Sequence, residues 1–371
     1  MPPHVTKISK VFDEILIEDS LENHLNKINV SICQLLFFLD ISDIAKHVEQ
    51  KYYSDKDWHF KYDVAAMIKF AVVKFFRQLP YKKIKLSEEE AWMLGFQNKD
   101  GETLIPSGGT LHHFVKYRLN VEGINEVMMM VGQKMGKFIE AKDAKLDSTP
   151  LEASRYDSFS DFNPHYKCKM DKAHITMIGT FPIFMNYTDG LVGDSPQLPV
   201  HIAALLKMNL KINEYWLDGG YDSFENHADI WYNLNAKPLI SLPENAVINE
   251  EGEVERLGHW ANKMWKLGGS KYMKINDMLR FLYENGRIEQ VGMHLRNQNL
   301  KDNNSPDSHN LRKECERIHG HIKNTVKFDV RRIKEESKEL YSIINFVVYQ
   351  LLLLTNLQNQ VKSTHSFGNY I

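Results

Sequence analysis

Apolar residues recur at helical spacing in SICQLLFFLDI (31–41) and DVAAMIKFAVVKFF (63–76), and that periodicity predicts two amphipathic helices, the second stopped by Pro80. LSEEEAWMLGF follows, with Ser87 as an N-cap and Glu90 three residues on, the pattern of a capping box. After the loop QNKDGETLIPSGG a further helix starts at TLHHFVKYRLN and ends near Asn120. Residues 1–140 therefore read as helical. Short helices joined by tight turns permit a helix-turn-helix, and a plain helical bundle fits the same periodicity.

From about residue 141 the period changes. AKLDS reads as a strand ending at Asp147, and AHITMIG (173–179) and PIFMNYT (182–188) read as two strands joined by a tight turn at Thr180-Phe181. QLPVHIAALLKM (197–208) reads as a helix and INEYWLD (212–218) as a strand. SFENHADIWYNL is a helix capped by Asp222 or Ser223, and KPLISLP (237–243) is a fifth strand. Strands alternating with helices predict an α/β fold built on a mixed sheet. Residues 244–305 break the rhythm: they are polar, carry Trp260, Trp265 and a Gly-Gly at 268–269, and read as an insertion. Two helices close the chain, near 310–325 and 338–358.

Composition narrows the function classes modestly. A chain of 371 residues suggests two units, or one with a large insertion. Net charge is −2, so a nucleic-acid ligand would be held by local patches such as PYKKIK (80–85) and KNTVKFDVRRIK (323–334). Cys33, Cys168 and Cys315 form no Cys-x-x-Cys pair, so neither a zinc ribbon nor a disulfide framework is indicated, and a reducing compartment fits. The N-terminus MPPHVTKISKVFDEIL carries acids ahead of any apolar run and is not a secretory signal. IINFVVYQLLLLTNL (343–357) holds Asn345 and Gln350, is short of a spanning length, and reads as a buried helix.

Candidate chemistry lies in carboxylates. Asp147 and Asp218 each end a predicted strand, and ligand sites of open sheets gather at such rims. Two carboxylates meeting there suit Mg²⁺, a hard cation that takes oxygen ligands. Gly219 and Gly220 let the chain turn sharply and leave room for a phosphate. An Asp-Gly after an apolar run is also an ordinary turn. In SHNLRKECERIHGHIK (308–323), Leu311, Cys315, Ile318 and Ile322 form an apolar stripe, with Arg312, Glu316, His319 and Lys323 beside it. At roughly 100° per residue, His309 and Lys323 fall within about 20° of Glu316 and Arg312 within about 40°, whereas Glu314 is swung to the far side. A solvated helix face with an Arg312–Glu316 ion pair fits the same pattern.

Together these motifs resemble the DDE transposases of prokaryotic insertion sequences. Arg312, Glu316 and Lys323 match the Arg-x3-Glu-x6-Lys part of the Tyr-Arg-Glu-Lys signature, with His309 where the family has Tyr. LDST (146–149) and LDGGYDS (217–223) look like the family's two aspartate strands. GDSPQL (193–198) and IPSGGTLHHFVKYRL (105–119) resemble its helix lead-in and the end of its N-terminal domain. The resemblance implies a ribonuclease H-like sheet flanked by helices over 141–243 and 306–371. It also implies a helical, DNA-binding domain over 1–140 and an insertion subdomain over 244–305. Asp147, Asp218 and Glu316 would hold two Mg²⁺ ions, with Mn²⁺ able to substitute. His309, Arg312, His319 and Lys323 would contact DNA, and Trp260 or Trp265 could stack on a flipped base, although a buried tryptophan is the ordinary outcome for either. Implied partners are the terminal inverted repeats and target DNA, bound by a homodimer in the cytoplasm, at the nucleoid. A two-metal nuclease that cuts without joining, and a domesticated DNA-binding protein without catalysis, share these features. A helical interaction protein does not share the strand-rich half.

Overall fold

The computed structural model describes residues 31–53, 62–98, 100–265, 273–302, 308–331, 333–361 and 364–365, with the side chains of 308–312 excepted. The N-terminal stretch 1–30 and the Gly-Gly at 268–269 lie outside the described residues. The chain divides into a helical unit, running to Phe138 and resuming at His321, and a sheet unit, Ile139–Gly320.

The helical unit begins with α1 (Ile32–Phe37), α2 (Ser42–Tyr52), α3 (Val64–Phe76), α4 (Glu88–Leu94) and α5 (Gly108–His113). Sequence-local signals set several of these boundaries. Ser87 and Glu90 close the expected capping box on α4, and Ser31 with Gln34 closes another on α1. The Asp63 side chain caps α3. That helix stops at Phe76, ahead of Pro80, because Gln78 turns the chain with φ +53°. A π-helical turn, Phe114–Leu119, leads from α5 into α6 (Asn120–Met135), so the helical path continues beyond the expected end at Asn120.

The sheet unit holds β1 (Asp143–Glu152), β2 (Phe162–Asn163), β3 (Cys168–Ile178), β4 (Phe181–Asp189), β5 (Glu214–Leu217) and β6 (Lys237–Ile240). β1 pairs antiparallel with β3 and parallel with β5, β5 pairs parallel with β6, and β4 lies on the outer edge of β3. Helices α7 (Leu198–Lys207) and α8 (Phe224–Leu234) flank this mixed sheet, in agreement with the expected ribonuclease H-like α/β fold. The β3–β4 turn is Gly179-Thr180, one residue earlier than expected, because Gly179 supplies a φ of +57°.

β1 does not end at Asp147. Its parallel partner stops at the Leu146–Leu217 pair, but β3 continues alongside it to the Glu152–Met170 pair. Ser148, Thr149 and Pro150, polar or helix-breaking residues that read as a strand end, are held in the strand by that antiparallel partner.

The insertion is helical: a 3₁₀ turn at Glu250–Gly252, then α9 (Val254–Met264), α10 (Ile275–Glu284) and α11 (Ile288–Lys301). Leu257, Ala261, Met278, Leu279, Leu282, Val291 and Leu295 form its core, completed by Ala228 of α8. Gly292 permits the close crossing of α11 over α8, since a Cβ there would collide with the Phe224 carbonyl.

Helix α12 (Ser308–Thr325) starts in the sheet unit and ends in the helical one, and α13 (Lys338–Gln358) follows. α13 is long and apolar enough to span a membrane, yet 89% of its apolar window is buried inside the protein, as the sequence reading expected. α13 packs on α6, α3 and α1 and groups with them in the helical unit. A helix apolar on all sides needs cover on all sides, and the amphipathic helices of residues 31–138 provide it.

Candidate active site

The sheet brings Asp147 and Asp218 together by register. Leu146 and Leu217 are partners on parallel strands, and both are buried. The next residue on each strand is an aspartate, and Asp218 keeps an extended backbone (φ −76°, ψ 174°). Side chains alternate across a sheet, so the two carboxylates emerge on the face opposite the leucines, on strands about 4.8 Å apart. The Asp218 side chain accepts from Gly220 N at 2.9 Å and caps the 3₁₀ turn Gly219–Tyr221. Neither glycine takes a left-handed conformation, so the sharp turn expected of them is a capped 3₁₀ turn instead. Asp147 accepts from Ser148 N at 2.9 Å.

α12 belongs to the same site. Cys315, Ile318, His319 and Ile322 are buried and make its inner stripe. At about 100° per residue, Glu314 and Glu316 border this stripe on opposite flanks, and Lys323 follows the Glu316 flank. The burial of Cys315 raises its thiol pKa, and the charges of Asp147 and Asp218 add to that. Cys315 therefore lies within electrostatic reach of both aspartates. His319 Nδ1 lies 4.0 Å from Asp147 Oδ2. On the other flank Lys145, which shares a strand face with Asp147, donates to Glu314 Oε2 at 2.9 Å and to Asp143 Oδ2 at 3.0 Å. Desolvation works against the Lys145 ammonium, but these two carboxylates raise its pKa on balance.

Tyr221 closes the floor. It is 1% exposed, and its hydroxyl has no hydrogen-bond partner among the described residues. Burial pushes its pKa well up, and the carboxylates of Asp194, Asp147 and Asp218 push it further. The loop beyond is fixed by Asp222, which takes Arg296 through Nε (3.1 Å to Oδ1) and Nη2 (3.0 Å to Oδ2) and His227 Nε2 at 3.1 Å. Desolvation opposes ionisation of Asp222, yet these partners lower its pKa. Helix capping falls to Ser223 alone, whose side chain accepts from Asn226 N.

The other residues singled out by sequence are distributed as follows. Glu316 and Lys323 are exposed on α12, whereas His319 is buried and turned to the sheet. His309 and Arg312 lie on the first turns of α12, and their side chains lie outside the described residues. Trp260 is half-buried against the insertion core, its indole N–H donating to Glu251 Oε2 at 3.0 Å and its ring covered by the Arg287 guanidinium at 4.1 Å. Trp265 packs on Phe281 with ring centroids 5.2 Å apart. Among the described residues no three His, Cys, Asp or Glu side chains converge as a metal-binding group. The pair Asp147–Asp218 is the part of the acid set that the sheet itself fixes. Sequence reading missed Lys145, Glu314 and Tyr221. Strand alternation could have placed Lys145 beside Asp147, whereas nothing in the local pattern pairs it with Glu314.

A family model described as "Transposase DDE domain" matches residues 145–351, more than half of the chain. No curated protein and no solved structure matches the chain. The matched span runs from β1 through the insertion to α13 and takes in Asp147, Asp218 and Glu316. With the mixed sheet and two register-matched aspartates beneath a helix that carries a glutamate, it makes the chain a member of the DDE transposase family.

Proposed function

We propose that the protein cuts DNA at the terminal inverted repeats of its own element and joins the freed ends to target DNA, with Asp147, Asp218 and Glu316 as its metal-binding carboxylates. The observation that carries the reading is the register of β1 on β5, which sets Asp147 beside Asp218. The donor chemistry fits the cation. Mg²⁺ is commonly held by one or two carboxylates together with substrate phosphates, so this pair is a sufficient protein share when DNA supplies the rest. Glu316, on the flank of α12 beside the inner stripe, is the third ligand in this reading. Two Mg²⁺ ions, or Mn²⁺ in their place, supply Lewis-acid polarisation of the scissile phosphate when bound.

The chain's own residues do the positioning. Lys323 and Arg312 bind backbone phosphates, arginine bidentately and lysine as a point charge. His309 contacts the DNA end where relatives use tyrosine. His319 orients the Asp147 carboxylate from the buried side. Trp260 is held by Arg287 and Glu251 and supports the insertion; of the two tryptophans, Trp265 is the better placed to leave its neighbour and stack on a base. Two copies acting on paired ends, in the cytoplasm and at the nucleoid, complete the reading.

The test uses DNA carrying the inverted repeats that flank the gene, incubated with Mg²⁺ or Mn²⁺ and either the wild-type or the Asp218→Asn protein. Cutting and joining by the wild type, lost in Asp218→Asn, is the expected result. Cutting without joining would make the protein a nuclease, and binding without cutting would make it a domesticated DNA-binding protein.

A further inference from the structure

Two basic stretches, PYKKIK (80–85) and KNTVKFDVRRIK (323–334), meet in the helical unit around a buried lysine. Lys74, in the last turn of α3, is 7% exposed. Its ammonium lies 3.6 Å from the ring centroid of Phe75, 4.5 Å from that of Tyr81 and 5.3 Å from that of Tyr341 on α13. Tyr81 belongs to the first stretch, on a tight turn closed by the bond from Lys83 N to Pro80 O at 2.8 Å. The second stretch is fixed by α13. Asn345, one turn along the same face from Tyr341, donates through Nδ2 to Lys327 O at 2.9 Å. Burial lowers the Lys74 pKa to about 8 and the Lys327 charge lowers it further.

A buried ammonium is costly unless an anion meets it, and aromatic faces recover only part of that cost. Lys51, Arg77, Lys134 and Lys338 of the same unit each hold a carboxylate. Among the described residues Lys74 and Lys327 hold none, and neither do the exposed Lys82 and Lys83 of the turn. The acids nearby in sequence are committed or turned away. Asp329 accepts from Arg331 N, Glu335 pairs with Lys338, and Glu339 stands about 200° around α13 from Tyr341.

We propose, resting on the reading of the protein as DNA-acting, that Lys74 and Lys327 form the seat of a DNA backbone phosphate, with Lys82 and Lys83 contacting its neighbours. The charges are of one sign and unpartnered, which is what an anion selects, and their spread from a buried centre to an exposed turn suits a polyanion. A free phosphate would engage the centre and leave the turn unused. A second copy would set lysine against lysine across a two-fold contact. The aromatic walls hold the ammonium in place before the phosphate arrives, so little side-chain freedom is lost on binding.

The test is a fluorescence-anisotropy titration of the full chain with a paired DNA duplex, without divalent metal and over a series of salt concentrations, so that it is independent of the carboxylate assignment. Lys74→Met and Lys327→Met should each make the slope of log K against log salt shallower by about 1 and weaken binding about five- to tenfold near 0.1 M salt. Lys51→Met, which removes a paired lysine of the same unit, should leave the slope unchanged. Lys74→Met should melt in urea no lower than wild type, because it removes an unpaired buried charge. Should that variant fail to fold, Lys327→Met, exposed on the surface, decides alone. Wild-type slope and affinity in the lysine variants overturn the proposal and leave the transposase reading standing. So does stabilisation of the wild type, but not of Lys74→Met, by inorganic phosphate with DNA binding unaltered, which would assign the seat to a free anion. Failure of the wild type to bind the duplex overturns the proposal together with the reading beneath it.

Discussion

Lys145 Nζ lies 2.9 Å from Glu314 Oε2, and each stands two residues ahead of a proposed metal ligand, Asp147 on β1 and Glu316 on α12. The ion pair therefore indexes the helix against the strand. Glu314 holds the helix, and Glu316 stands on its exposed flank.

That division of labour separates two variants. Glu314→Gln should cost about 1 kcal/mol of stability through the weakened charged hydrogen bond, with cleavage reduced by less than roughly tenfold. Glu316→Gln should lower cleavage by roughly 100-fold or more. Urea melts beside a gel-based cleavage assay would decide. The opposite pattern would exchange the roles of the two glutamates.

Among its described residues the sheet unit buries four histidines whose pKa values are lowered, chiefly by desolvation: His174, to about 4, and His201, His227 and His294. A histidine depressed in the folded state binds its proton more readily when unfolded. Its contribution is complete above about pH 6.5 and is lost as pH falls toward the folded value. Asp194 opposes the shift at His174, and Lys172 adds to it. For His174 alone the loss between pH 6.5 and 4 is roughly 3 kcal/mol as an upper bound. Urea midpoints should accordingly fall steeply between pH 7 and 4.5; a flat profile would contradict the burial of these rings.

Tyr221 offers a stability gain. Its buried hydroxyl has no partner among the described residues, so its burial costs free energy without return. Tyr221→Phe should leave the unfolding free energy unchanged or raise it by up to about 1 kcal/mol in chemical denaturation. A loss of 1 kcal/mol or more would show that the hydroxyl is bonded in solution.

Much of this architecture is legible in the residues, and the illegible parts share a cause. The capping box of Ser87 and Glu90, the cap at Ser223, the β3–β4 hairpin and the apolar stripe of α12 are local, and each is encoded within a few positions. The flanking positions of Glu314 and Glu316 also follow from angular spacing alone. What escaped reading depends on partners far along the chain. Pro150 stays in a strand because Lys172 pairs with it. His319 goes inside because Asp147 lies opposite it. The aspartate pair is intermediate: each half is visible as a strand-terminal acid, but their adjacency depends on which strands neighbour each other.

The helical unit is discontinuous, assembled from residues before Phe138 and after His321 with the sheet unit between them. During synthesis the first helices leave the ribosome long before α13, and their apolar faces must wait for it. The sheet unit, contiguous from Ile139 to Gly320, can complete its own core in the meantime. Premature termination ahead of Lys338 would thus release a chain whose sheet unit is whole while α6, α3 and α1 lack their shared partner. Chaperone dependence and turnover of nascent chains should centre on that last helix, far in sequence from the surfaces it completes.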